Sequence, residues 1–215
     1  IPPKICLLGA TSISAGGGQT GFADMCAAYD ALTEPTKRKI ENLAAYHSNL
    51  IGTTRVLPPN NQQVLADFVG DQPIDDHYGL RYRADAPLRP LVKRHPVTGR
   101  SILFIGRHAF RVTGFTPEAS ESFLAELEAA ACCAPRVYEH NWEMGDLIVF
   151  DNRRLLHRVL PYDEQGPKRE LLNCRIVGDE YDDLGLTTRP ATQSIGVQQD
   201  ELMRLRRRFK QISRP

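Results

Sequence analysis

The stretch Asp146-Leu-Ile-Val-Phe-Asp-Asn-Arg-Arg-Leu-Leu-His157-Arg runs an apolar strand into the turn-forming group Asp151-Asn152-Arg153. A single histidine then stands early in the next strand. A histidine so placed can point into a barrel, where neutral imidazole is a good ligand for Fe(II); a hydrogen-bonded core histidine is the other reading of the same pattern. Twelve residues on, Arg169 opens an alternating segment that ends at Val177. Its odd-numbered face carries Arg169, Asn173 and Arg175, and its even-numbered face carries Leu172, Cys174 and Ile176. The alternation predicts one apolar face in the core and one polar face turned to water or to a polar cavity. Guanidinium binds carboxylate through paired hydrogen bonds, so an arginine here is a candidate receptor for a small dianionic acid. Near the other end, Gly16-Gly17-Gly18-Gln19-Thr20 follows the first strand. Its spacing matches neither the dinucleotide-binding nor the P-loop glycine pattern, so no phosphate cradle is expected.

These residues need a scaffold, and the flanking patterns describe one. Residues 4–10 read as a buried strand running into the glycine loop. Helical spacing from about Phe22 to Leu32 sets Met25, Ala28, Tyr29 and Leu32 on one face. Thr33 is placed to cap a second helix, with Pro35 in its first turn and Ile40, Leu43 and Ala44 as its buried stripe. Residues 52–91 hold little periodicity and read as an irregular, lid-like insert that includes Asp75-Asp76-His77. A strand is expected over 101–106. Thr116-Pro117-Glu118 then opens a helix with Phe123, Leu124, Leu127 and Ala131 on its apolar face. Strands are expected at 136–140, 146–150, 155–160 and 169–177. A helical tail at about 180–215 has a basic stretch at 198–210. Many short strands with grouped helices predict a mainly β domain of α+β type, antiparallel with helices packed outside.

Bulk composition narrows the function classes. The net charge of +1 provides no global field toward nucleic acid or membrane, and no apolar run approaches the eighteen or so residues of a membrane helix. The basic tail lacks interleaved aromatics, so a solvated or subunit-contacting helix is expected there rather than a nucleic-acid-binding one. Cys6, Cys26, Cys132, Cys133 and Cys174 are odd in number and lack CxxC spacing, which fits reduced thiols in a cytoplasmic protein better than a disulfide framework or a zinc site.

Three segments in order carry a family resemblance. Residues 16–32 resemble the Gly-Gly-x-Thr segment and following helix of the taurine/2,4-D (TauD/TfdA) dioxygenases. Residues 94–104, with His95-Pro96-Val97-Thr98-Gly99-Arg100, resemble that family's His-Pro turn and strand. Trp142 through Asp146 and Asp151-Asn152-Arg153 to His157 resemble its Trp-x-x-x-Asp and Asp-Asn-Arg-x-x-x-His motif. The resemblance implies a double-stranded β-helix, a jelly-roll barrel with iron at one mouth, and a single catalytic domain over 1–215. It implies Fe(II), 2-oxoglutarate and O2 as cofactor and co-substrates, with a small organic molecule oxidised. His157 matches the distal metal histidine, Thr20 and Arg169 match the pair that holds 2-oxoglutarate, and Asn173, Arg175, Phe110 and Phe150 are candidates for the substrate pocket. The family's His-x-Asp metal pair is expected upstream of Ile1, so the chain is read as N-terminally incomplete. His77, His95 and His140 occupy positions the family does not use for metal. Many relatives carry an arginine where this chain has Asn173, which leaves open whether the substrate is anionic. The competing reading is a barrel without catalysis, serving as a binding or regulatory module. A homo-oligomer is compatible with either.

Overall fold

The computed structural model describes residues 3–47, 87–163 and 165–178. Strand β1 (Pro3–Ser12) lies between β9 (Leu147–Asp151) and β11 (Glu170–Val177) and is antiparallel to both. Strand β2 (Thr20–Asp24) lies between β8 (Val137–His140) and β10 (Leu155–Val159), again antiparallel to both. The two sheets face one another. Cys6 and Leu8 of β1, Phe150 of β9 and Phe22 of β2 form one buried cluster between them, with Ile148, Leu155 and Trp142 packed against it. This is the antiparallel jelly-roll barrel that the strand pattern predicts.

A second and larger core lies on the other side of the β2 sheet. Strand residues alternate faces, so Ala23, Val137 and Leu156 point away from the barrel interior. They pack with Met25, Cys26 and Ala28 of α1 (Met25–Asp30) and with Phe123, Leu124, Leu127 and Ala131 of α3 (Pro117–Ala131). Each large apolar side chain buried there contributes roughly 1.5–3 kcal/mol. Thr116 caps α3 by accepting the Ala119 amide at 3.2 Å. Ser120, fully buried in that helix, accepts the Val112 amide at 2.9 Å and fastens α3 to β7 (Ala109–Val112). Strand β3 (Ala44–His47) pairs with β7 and with β4 (Leu88–Pro90), and β5 (Val92–Arg94) pairs with β6 (Ser101–Leu103) as a hairpin.

Several expectations are corrected. The helix expected from Phe22 begins only at Met25, because residues 20–23 are paired on both edges and Asp24 Oδ1 accepts the Cys26 and Ala27 amides as the helix cap. Helix α2 (Glu34–Ile40) has the expected Thr33 cap but stops at Ile40, and Ala44 belongs to β3. Residues 88–90, assigned to the irregular insert, form β4. The rest of that insert through residue 86, His77 and the tail at 180–215 lie outside the described residues. The largest correction concerns β11. Its even-numbered face is not core: Leu172 and Ile176 are 65% and 46% exposed and stand on the same outer surface as Leu147 and Val149 of β9. The cause is register. Buried Cys6 and Leu8 of β1 oppose Arg175 and Asn173, so the polar face of β11 is the one turned into the barrel.

Candidate active site

Strand β2 organises the site. Thr20 and Phe22 share its barrel-facing side. His157 of β10 stands opposite Phe22, while Val159 and His140 flank Thr20 on the two neighbouring strands. Diagonal neighbours of this kind lie about 7–8 Å apart, which sets the Thr20–His157 spacing at the length of a small dicarboxylic acid. The His157 ring is 5.1 Å from the Phe150 ring in an edge contact and 6.3 Å from that of Phe22. The residue is exposed, with its ring edge-on to Phe150. Burial of the ring, then the charges of Arg175, Arg107 and His108, hold its imidazole below the ordinary histidine value. The neutral form so favoured is the one that ligates metal.

Arg169 closes a polar recess beside this histidine. Its Nε donates to the Gly18 carbonyl at 2.8 Å and its Nη2 donates to the Thr20 hydroxyl at 3.3 Å. The guanidinium lies 5.8 Å from the Tyr162 ring, and burial draws its pKa below the usual arginine value. Only glycine fits the loop that receives it. Gly18 has φ +73°, and a Cβ there would lie 3.0 Å from Arg169 Cδ and 2.7 Å from Ser14 Oγ. At Gly17, φ +72°, a Cβ would meet the Pro161 carbonyl oxygen at 2.3 Å. Thr20 is 2% exposed, and its hydroxyl also accepts the indole N–H of Trp142 at 2.9 Å.

The turn before β10 is fastened from several sides. Asp151 accepts from His95 Nε2 at 2.8 Å and from Arg153 Nε at 2.8 Å. The Asn152 amide donates to the Lys4 carbonyl at 2.9 Å, and Arg154 pairs with Asp24. Burial by itself would raise the Asp151 pKa; the hydrogen bonds from Arg153 and His95 outweigh it and bring it down to about 2. The turn therefore delivers His157 from a rigid base.

The structure thus brings together His157, Thr20, Arg169 and Phe150, and turns Asn173 and Arg175 toward the same interior. Phe110 lies elsewhere, in the β4–β3–β7 sheet with its ring 5.9 Å from Tyr46. His95 and His140 are engaged by carboxylates, the latter donating through Nε2 to Asp146 at 2.8 Å. Among the described residues no group of three or more His, Cys, Asp or Glu could hold a metal ion, and His157 supplies a single imidazole. The guanidinium of Arg169 and the hydroxyl proton of Thr20 are the donors this pair can offer to a carboxylate. The bond from Trp142 to Thr20, across 122 residues, had no local signal in the sequence. Neither did the stacking of His47 on Phe104.

Fold and site together define a jelly-roll barrel with His157, Thr20 and Arg169 gathered around one end of β2. The chain belongs to the taurine catabolism dioxygenase TauD, TfdA family, whose model matches residues 1–175. It is 42% identical over 186 residues to an (S)-phenoxypropionate/alpha-ketoglutarate-dioxygenase of Sphingobium herbicidovorans, covering 86% of this chain and 61% of that one. It is 36% identical over 177 residues to an alpha-ketoglutarate-dependent 2,4-dichlorophenoxyacetate dioxygenase of Cupriavidus pinatubonensis, covering 82% and 56%. Among solved structures, AAD-2 in complex with Mn(II) and N-oxalylglycine superposes with a TM-score of 0.67 at 30% identity, covering 83% of this chain and 64% of that one. The chain spans between half and two thirds of the length of these relatives. No helix among the described residues is long and apolar enough to cross a membrane.

Proposed function

We propose that the protein of which this chain is part is an Fe(II)- and 2-oxoglutarate-dependent dioxygenase that hydroxylates a small carboxylate carrying an aromatic body. The observation that carries this reading is the hydrogen-bonded pair Arg169–Thr20, set one diagonal step from His157 on the same face of the β2 sheet. His157 provides one metal ligand; the other two members of the family's triad are not among the described residues. Bound iron, with 2-oxoglutarate and O2, supplies the oxidising chemistry and yields succinate and CO2.

The chain's own residues do the rest. Arg169 and Thr20 grip the far carboxylate of 2-oxoglutarate and fix its direction toward His157. Phe150 and Phe22 form a dry wall beside the histidine, against which an aromatic ring can lie. Arg175 brings a cation to the same interior, with Asn173 as a neutral hydrogen-bonding neighbour on its strand face, so a substrate carboxylate has a receptor without a second arginine at 173. Relatives at 42% and 44% identity that are named for (S)-phenoxypropionate support this substrate class. The free thiols, with Cys133 and Cys174 exposed, suit the reducing cytoplasm.

The test is Arg169→Ala in the intact protein. Its 2-oxoglutarate requirement should rise on the order of a hundredfold, the loss of a charged hydrogen-bonding partner, with Fe(II) affinity retained. An unchanged requirement overturns the assignment. Failure of the unaltered protein to bind 2-oxoglutarate at all would favour a non-catalytic barrel.

A further inference from the structure

We propose that Trp142 is a positioning residue that makes Thr20 an obligate hydrogen-bond donor, so that the recess accepts a carboxylate and rejects a carboxamide. The inference rests on the reading of Thr20 and Arg169 as the receptor for 2-oxoglutarate and extends it to the source of its selectivity.

A threonine hydroxyl has two acceptor lone pairs and one proton. In Thr20 both acceptor positions are engaged: Trp142 Nε1 donates at 2.9 Å and Arg169 Nη2 at 3.3 Å. Indole and guanidinium nitrogens are donors only, so neither arrangement can reverse. The remaining O–H must then point at something that accepts. A carboxylate offers one oxygen to this O–H and another to the guanidinium; an amide has a single oxygen, so its NH2 must face one of the two donors. Thr20 is 2% exposed, so no solvent rearrangement relieves that mismatch, and an unsatisfied buried donor is costly.

The indole is itself held in place. The His140 ring stands at its edge, 4.6 Å between centroids and 82° between planes. His140 donates through Nε2 to Asp146 at 2.8 Å, and Asp146 also accepts the Glu143 amide at 2.9 Å. His140 is the cross-strand partner of Thr20, so the clamp and its target share one register position. The Trp142-to-Asp146 spacing, which the sequence shows as a motif without a role, is accounted for by this chain of contacts.

The experiment uses the intact protein loaded with Mn(II) and calorimetric titration with N-oxalylglycine and with its glycinamide counterpart. Trp142→Phe keeps an aromatic ring and removes the N–H. It should weaken N-oxalylglycine about tenfold and shrink the preference over the carboxamide by a similar factor. In a Thr20→Val background the same replacement should change binding by less than about twofold, because its effect passes through the hydroxyl. Equal weakening of both ligands, or the full effect surviving in Thr20→Val, would mean a merely structural tryptophan and overturns the proposal. If Trp142→Phe does not fold, 3-benzothienylalanine at 142, which has the indole shape without the N–H, gives the same two outcomes. Unaltered protein that ignores N-oxalylglycine overturns the 2-oxoglutarate reading instead.

Discussion

His95 donates its Nε2–H to Asp151 Oδ2 at 2.8 Å and so joins the turn after β5 to the turn that launches the His157 strand. The Thr98 amide donates to Nδ1 of the same ring at 3.2 Å, which fixes the tautomer, and His95 is only 3% exposed. Asp151 is the centre of this arrangement, and its carboxyl is held down to about 2. A carboxyl lowered on folding stabilises the fold above its unfolded value and loses that contribution as pH falls through its folded value. The contribution, about 2 kcal/mol, is therefore expected to disappear between pH about 4 and 2. Asp151→Asn should lower stability at pH 7 by an amount of that order and flatten the acid limb of a urea-unfolding series. An acid limb of unchanged steepness would show that Asp151 does not anchor the turn.

Gly18 and Arg169 make a second linked pair. Replacing Gly18 by alanine puts a methyl group 3.0 Å from Arg169 Cδ and keeps a left-handed φ of +73°. The backbone strain is worth about 1–2 kcal/mol. The displaced guanidinium should raise the 2-oxoglutarate KM tenfold or so, a single-charged-hydrogen-bond effect, with the thermal transition still cooperative. A lowered melting temperature with an unmoved KM would separate the loop's fold from Arg169 placement and count against the recess.

Arg175 is predicted to act on substrate rather than on co-substrate. It opposes buried Cys6, whose other neighbour in register is Phe150, the ring against His157. Arg175→Leu should therefore raise KM for an aryloxyalkanoate about tenfold or more while the 2-oxoglutarate KM moves little, because the Arg169 contacts are untouched. Parallel losses in both constants would assign Arg175 to the barrel's general electrostatics.

Legibility in the sequence followed the range of the interaction. Strands β1, β8, β9, β10 and β11 and helix α3 showed clear periodicity and caps, and the structure has each of them. Strands β3, β4, β5 and β7 are three or four residues long and exist through cross-strand pairing, so no local period marks them. The two faces of β11 were separable from alternation, but their direction was not. That was decided by pairing with β1, about 160 residues earlier, and alternation cannot tell inside from outside when both sides carry a reason to be buried. Within the site, His157, Thr20 and Arg169 were legible because motif residues at fixed offsets marked them. Trp142 gained a role only when β2 and β8 were placed side by side.

The last prediction concerns His47, whose ring stacks on Phe104 with centroids 5.0 Å apart. Its Nε2 is buried with no hydrogen-bond partner among the described residues. Burial first, then the charges of Arg89, Lys93 and His108, push its imidazole down to about 3. In the unfolded chain it titrates near 6.5, so below that pH the unfolded state takes up a proton that the folded state refuses. Stability is then lost as pH falls from 6.5 toward 3, at about 1.4 kcal/mol per unit, or roughly 3 kcal/mol by pH 4. Most of this window, from pH 6.5 down to about 4, lies above the one assigned to Asp151, so the two effects separate there on a single pH series. His47→Phe retains a ring on Phe104 and removes the titrating group. Urea unfolding at pH 7, 6, 5 and 4 should give nearly constant stability for the variant, apart from the carboxylate contribution near pH 4, against a steady decline for the unaltered protein. If both decline in parallel, the ring is protonated in the folded state, and the cations around it are screened by partners that neutralise the cluster.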